Sequence, residues 1–363
     1  MSPRTRTLGV AVTLLALAAA PQARAQQPVY YGNEAAMTGA SGMALYRGAD
    51  AAFYNPAGLA GLKRTKIEVS GTAFVLRVRD YGGLVEANLP SGRYAPDVRS
   101  VEVTPVPGAL VFTRGVHPKV TLALGIFVTS ADQFQGASTL NRTEFYNGEN
   151  LTFVQRAVFK HQHQTYHMGP VVGWQVTPRL RLGWSLLLLY RTTHRHLSLV
   201  VDARNDETGV DRLQQSSTFD YEEETTLFGG RLVMGLQWEL ARGWHLGLVA
   251  RSPSLSFRQV GETTQLVTSS QASPGTEPFS LLTLDTPEKA SASGKMAEPA
   301  EFVLGLGYRH PRFWIGAEGE LRLGVTNRDL LLDEKLQWNV RVGGRVWLKR
   351  TLSLGFGGFS DRS

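Results

Sequence analysis

Cysteine is absent from the 363 residues, which excludes disulfide frameworks, thiolate metal sites and cysteine nucleophiles. Long apolar runs are missing too. After residue 25 the densest stretch, Leu186, Leu187, Leu188 and Leu189, is four residues long, far short of the ~20 that a membrane-spanning helix needs. No HExxH, G-x-S-x-G or P-loop pattern occurs, so the chain reads as a non-enzyme with no catalytic residue and no cofactor. Charge is sparse at 19%, and the net +7 comes from 38 basic against 31 acidic residues. Three of those arginines (Arg4, Arg6, Arg24) stand in a leader described below, which leaves 35 against 31. That mild, dispersed excess excludes a nucleic-acid footprint. What the chain has instead is an apolar share of 42%, too high for disorder, and 38 glycines without a collagen period.

Residues 1–25 have the three parts of a secretory signal peptide. Arg4 and Arg6 give the positive start, residues 8–20 form an Ala/Leu/Val-rich core, and Ala23-Arg24-Ala25 is a small-x-small cleavage site before Gln26. The chain therefore leaves the cytoplasm, and any membrane span in the mature protein must be made of strands.

From residue 64 onward the dominant period is two. Leu336, Trp338, Val340, Val342, Val346 and Leu348 share one face, with Lys335, Gln337, Asn339, Arg341 and Arg345 on the other. The same contrast separates Ile315, Ala317, Leu321 and Leu323 from Glu318, Glu320 and Arg322, and Leu232, Met234, Leu236 and Trp238 from Arg231, Gln237 and Glu239. This is a strand signal. A soluble sandwich would bury the apolar face, and an outer-membrane barrel would turn it to lipid. Export without cysteine, strands of at least the ~9–11 residues that a tilted membrane strand needs, and aromatics near strand ends favour the barrel. The candidate girdle is Trp174, Trp244, Tyr308, Trp314 and Trp347, although Trp314 and Trp347 fall on the polar face.

Short turns near residues 115–119, 177–178, 241–243, 310–311 and 349–350 alternate with long polar connections near 80–104, 131–160, 203–216, 262–298 and 325–333. Short periplasmic turns and long outer loops are the outer-membrane arrangement. The pattern yields about eleven strands. Because single-chain bacterial barrels have even counts, the expectation is a barrel of about 12–14 strands that is C-terminally truncated here, or one strand overlooked within 145–160.

Residues 26–63 do not alternate. They are small, glycine-rich and low in charge, and they precede the barrel spanning 64–363, so they are expected to form a plug in its mouth. Asn55 is placed to N-cap a short helix with Pro56 at its first position, and Gly58 and Gly61 permit close packing. The run Gly39-Ala40-Ser41-Gly42, followed by Asp50-Ala51-Ala52-Phe53-Tyr54-Asn55-Pro56-Ala57-Gly58-Leu59, resembles the N-terminal signature of the outer-membrane long-chain fatty-acid and hydrocarbon transporters, the FadL/TodX type. Residues 352–363 also resemble a strand of that family. The resemblance implies an all-β barrel closed by an N-terminal hatch, with Asn55, Pro56 and Ala57 as the hatch motif. It further implies passive uptake of hydrophobic compounds such as fatty acids or hydrocarbons. The expected partners are those small molecules and outer-membrane lipid, around a monomer. The runner-up is a structural or secretion-associated barrel that scaffolds exported partners; a plug argues against an open porin.

Five histidines invite a metal reading. Strand parity turns His161, His163 and His167 inward and His194 and His196 outward, so no metal site is assigned. The sequons at Asn141 and Asn150 read as chance matches. The inner face carries Arg179, Arg181, Arg231, Arg312, Arg322, Arg341 and Arg345 with Glu239, Glu318 and Glu320, expected chiefly to pair with one another. The alternative is that one arginine holds a substrate carboxylate, beside apolar positions Phe74, Leu187, Leu189, Val249 and Val303. No substrate-binding residue is singled out.

Overall fold

The computed structural model describes residues 31–81, 87–89, 92–94, 98–146, 149–205, 212–271, 279–285, 296–327, 332–349 and 351–360. The expected signal peptide lies outside them.

Three short helical pieces come first: α1 (Asn33–Met37), α2 (Ala49–Tyr54) and a 3-10 turn (Pro56–Leu59). β1 (Lys66–Tyr81) is followed by a small hairpin, β2 (Ala87–Leu89) and β3 (Gly92–Tyr94). The long strands are β4 (Val98–His117), β5 (Val120–Tyr146), β6 (Glu149–Gln175), β7 (Leu180–Asn205) and β8 (Arg212–Ala241). Next come β9 (Trp244–Arg251), β10 (Ser254–Gln271), β11 (Phe279–Asp285), β12 (Met296–Glu298) and β13 (Glu301–His310). The chain ends with β14 (Phe313–Arg322), the pair β15 (Val325–Asn327) and β16 (Leu332–Glu334), β17 (Gln337–Trp347) and β18 (Ser353–Phe359).

One antiparallel sheet of fourteen strands dominates, in the order β1-β4-β5-β6-β7-β8-β9-β13-β14-β17-β18, with β10, β11 and β12 attached beside β8. β10 continues the run of β9 past Ser252 and Pro253, and β12 precedes β13, so the path has the eleven strands that the alternation predicts. Among the described residues no pairing joins β1 to β18. No described helix is long and apolar enough to cross a membrane.

The two faces separate as the period of two requires. Leu186 (56% exposed), Leu304 (55%) and Trp338 (48%) point outward, while Leu187 (3%), Val249 (2%) and Val303 (4%) point inward. An aromatic row, Tyr166, Tyr190 and Phe228, crosses three strands with ring centres 6.0 and 5.2 Å apart. A second row joins Trp244, Tyr308 and Phe313 at 5.1 and 6.0 Å. Trp174 and Trp244 are exposed, as a girdle requires. Trp314 is not a girdle residue: it is fully buried on the inner face, and half-buried Trp347 lies under the Arg345 guanidinium there.

The expected outer loops are largely strand. Residues 131–146 and 149–160 form the paired upper halves of β5 and β6, out to the Tyr146–Glu149 pair. Strand also extends into the 80–104, 203–216 and 262–298 connections, and 325–333 carries the β15–β16 pair. β5 to β8 are 27, 27, 26 and 30 residues long, well beyond a membrane strand. At ~3.3 Å per residue, β7 runs on the order of 50 Å past Tyr190. A register shift between Val128 and Ser130 turns both Phe127 and Phe134 inward. Phe134 then joins Ala157, Phe159, Leu197 and Leu199 in an apolar cluster on the inner side of this raised wall. The cluster replaces the water-exposed polarity that an outer loop would need.

Candidate functional site

Residues 31–62 lie against the inner face of the sheet and form most of its largest buried cluster. A line of glycines makes this seat. Gly173 pairs with Gly183, and Gly183 with Gly235. Gly247 pairs with Gly305, and Gly307 leads through Gly316 and Gly343 to Gly357. Each faces the segment without a side chain between. A Cβ on Gly183 would lie 2.3 Å from Ala57 N, one on Gly316 2.3 Å from Ser41 O, and one on Gly343 2.3 Å from Thr38 O. On β5 the line is held by Thr121, whose hydroxyl accepts from Leu62 N at 3.1 Å. The segment thus crosses from the β4–β5 side to β18, where Gly357 meets Thr38.

The expected hatch motif sits at the centre of this seat. Asn55 caps the 3-10 turn, accepting from Ala57 N at 3.2 Å, with Pro56 at the first helical position. Its Nδ2 donates to Leu236 O on β8 at 3.0 Å and to Met43 O at 3.3 Å. One carboxamide therefore ties the turn, the preceding loop and the wall together. Gln237 Nε2 repeats the tie, donating to Met43 O at 2.9 Å and Tyr46 O at 3.2 Å. Gly58 packs under Tyr46 O, and Gly61 has φ +78°, a left-handed conformation that favours glycine.

Arginines fix the segment through backbone carbonyls and one carboxylate. Arg309 donates to Leu45 O at 2.7 Å, Arg251 to Phe53 O at 3.4 Å, and Arg345 to the Glu34 carboxylate at 3.0 Å. Glu318 accepts from Met43 N. Inside the segment, Asp50 accepts from Glu34 N and Ala35 N at 3.1 and 3.2 Å, joining α2 to α1. Burial pushes the Asp50 carboxyl up to about 6, and the two amide bonds offset part of that rise. Burial likewise raises the Tyr31, Tyr46 and Tyr54 hydroxyls above their ordinary range. Tyr31 donates to Val128 O at 2.7 Å, at the β5 register shift.

Beside the segment the inner face is an ion-pair network, as expected. Glu301 is bound by Arg251 at 3.0 Å and Arg322 at 3.1 Å, and Arg341 pairs with Glu320 and Glu318. Arg231 lies 3.0 Å from Glu298 and 3.7 Å from Glu301. Two of the expected inner arginines are elsewhere: Arg179 and Arg312 are exposed in the short turns, where the strand parity no longer applies. Leu187, Val249 and Val303 belong to the cluster that packs with the segment, so they are covered by it. Leu189 sits with Leu227 and Ala297. Phe74 lies on β1, its side chain outside the described residues. His161, His163 and His167 face inward with His194 and His196 on the other face, and no group that could hold a metal occurs among the described residues. Glu298, Glu301 and Arg251 were missing from the sequence-based set. Glu298 stood inside what reads as an external loop, and no spacing marks a carboxylate that folds back inward.

No family model and no curated protein matches the sequence. Among solved structures, the toluene transporter TodX of P. putida superposes with a TM-score of 0.55 at 15% identity, over 92% of this chain and 84% of that one. The Ralstonia pickettii toluene transporter TbuX gives 0.51 at 13% identity, over 92% and 87%. This chain has the β-barrel fold of those two proteins.

Proposed function

We propose that the chain is an outer-membrane channel for passive uptake of hydrophobic compounds, long-chain fatty acids or related hydrocarbons, and that residues 26–63 act as its hatch. The observation that carries this reading is the combination of an apolar outer face with a separate segment seated on glycines inside. A structural wall has no need of an internal body held by side-chain hydrogen bonds to carbonyls, since these can be broken without unpairing a strand. Both described relatives in fold carry toluene, an uncharged hydrocarbon. The export leader, the aromatic rows and the outward leucines fit residence in the outer membrane as a monomer.

Liposomes containing the purified protein test the reading. Labelled toluene or fatty acid should equilibrate faster than in protein-free liposomes, while a polar sugar should not. Equal rates with and without the protein would leave only the scaffold reading.

A further inference from the structure

The Glu298 carboxylate is held by side chains from four strands. It meets His167 Nε2 at 3.1 Å, Arg191 Nη2 at 3.0 Å, Arg231 Nη1 at 3.0 Å and Ser254 Oγ at 2.8 Å. Two of these groups are almost shut off from solvent, with side chains 4% exposed for His167 and 6% for Arg231. Arg231 Nε is buried with no hydrogen-bond partner among the described residues, a spare donor beside the bound carboxylate.

The occupant comes from a short side strand of the sheet that binds it. Glu298 ends β12, a three-residue strand after the long 262–298 connection, joined to β10 by two residue pairs with a register shift between them. So short an edge is held by few backbone bonds and chiefly by the Glu298 side chain. Its neighbour Ala297 is buried against Leu189 and Leu227. A carboxylate in a cationic cage and an apolar group on a leucine floor, side by side, reproduce the two ends of an amphiphilic acid.

We propose that this cage is a ligand site for a carboxylate-bearing amphiphile and that Glu298 is its built-in occupant, displaced when the ligand arrives. The incoming carboxylate takes the bonds from His167, Arg191, Arg231 and Ser254, and its tail takes the place of Ala297. The inference rests on the uptake reading above and narrows it to an acid-selective site. An uncharged hydrocarbon has no group for the cage and passes without displacing Glu298.

Binding of dansyl-labelled undecanoic acid and of its methyl ester to the purified protein tests this. An internally occupied site shows only a fraction of its intrinsic affinity, so Glu298→Gln should bind the acid about tenfold or more tightly, with the ester unchanged. Equal gains for acid and ester would mean that the residue only covers apolar surface, and no gain or a loss would mean that the cage takes no ligand; either overturns the proposal. Should Glu298→Gln fail to give a folded barrel, hydrogen exchange on the wild-type protein decides. Saturating acid, but not ester, should speed exchange of the Ala297 and Glu298 amides, and unchanged exchange overturns the proposal. Toluene flux into liposomes separates the two readings: flux without acid binding sinks only this site, and acid binding without flux sinks only the channel.

Discussion

The Asn55 carboxamide stands where Gly235 has no side chain: a Cβ there would lie 2.2 Å from Asn55 Oδ1. The absence of one carbon on β8 lets the Asn55 side chain reach the Leu236 carbonyl. Gly235→Ala should therefore push the segment off its seat at about 1–3 kcal/mol, the usual cost of overpacking a closed interior. Limited proteolysis should then cut within residues 31–62 while the barrel stays folded. Gly319→Ala is the control, because a Cβ there meets nothing within 4 Å; equal protease sensitivity of the two variants contradicts the seat.

Removing the other side of that contact should act alike. Asn55→Leu leaves Ala57 N without its acceptor and takes one donor from the Leu236 carbonyl, while Met43 O keeps Gln237 Nε2; a buried group so stranded costs about 1–3 kcal/mol. Asn55→Asp keeps the cap and loses the donor, so segment release should fall between that of wild type and Asn55→Leu. An Asn55→Leu protein as protease-resistant as wild type rules out the tie.

Much of this was legible in the residues. The period of two gives the eleven strands and their facing, because a strand with one apolar and one polar face must alternate. Asn55-Pro56-Ala57 gives the capped turn. The glycine line was not read: the apolar-Gly-apolar triplets at Gly173, Gly183, Gly235 and Gly247 mark it, yet glycine content by itself reads only as strands and tight turns. Their pairing across strands becomes visible only once register is fixed. The raised wall over 131–160 was misread because outward positions such as Gln135, Thr139 and Arg156 are polar, and polarity on one face resembles a loop when the inward Phe134, Ala157 and Phe159 are not separated from it.

Sidedness has its own test. Val340 is outward, and Asn339 lies on the inner face beside Glu320. Val340→Arg should cost about 2–4 kcal/mol if it sits near the bilayer midplane, measured by unfolding in lipid vesicles. Asn339→Arg should cost less. The reverse order would place the apolar face in a soluble core.

Asp50 makes segment docking depend on pH. Its carboxyl titrates at about 6 when docked against an ordinary value of 3.8, so the docked state binds the proton more tightly than the released one. That contribution is complete below the ordinary value and is lost as pH rises through about 6. Protease protection of residues 31–62 should decline between pH 4 and 6. Asp50→Asn should abolish the decline. A wild-type profile that is flat or rises over this range contradicts the assignment.

Trp314 anchors the middle of the segment. Its ring meets Tyr46 edge-on at 6.2 Å and 84° and is fully buried. Trp314→Ala should cost about 3–5 kcal/mol, read as a lowered urea midpoint together with faster cleavage near Tyr46. A fall no larger than that of Trp244→Ala, on the outer row, would make it one more girdle residue.

The central claim is that an internal segment controls a path for hydrophobic compounds through this barrel. Toluene flux into liposomes carrying the wild-type protein, or the same protein lacking residues 31–62, measures it most directly. Wild type should carry toluene and exclude a neutral sugar, and the shortened protein should admit both. Sugar exclusion that survives the deletion, or toluene entry no faster than through bare lipid, would contradict the account.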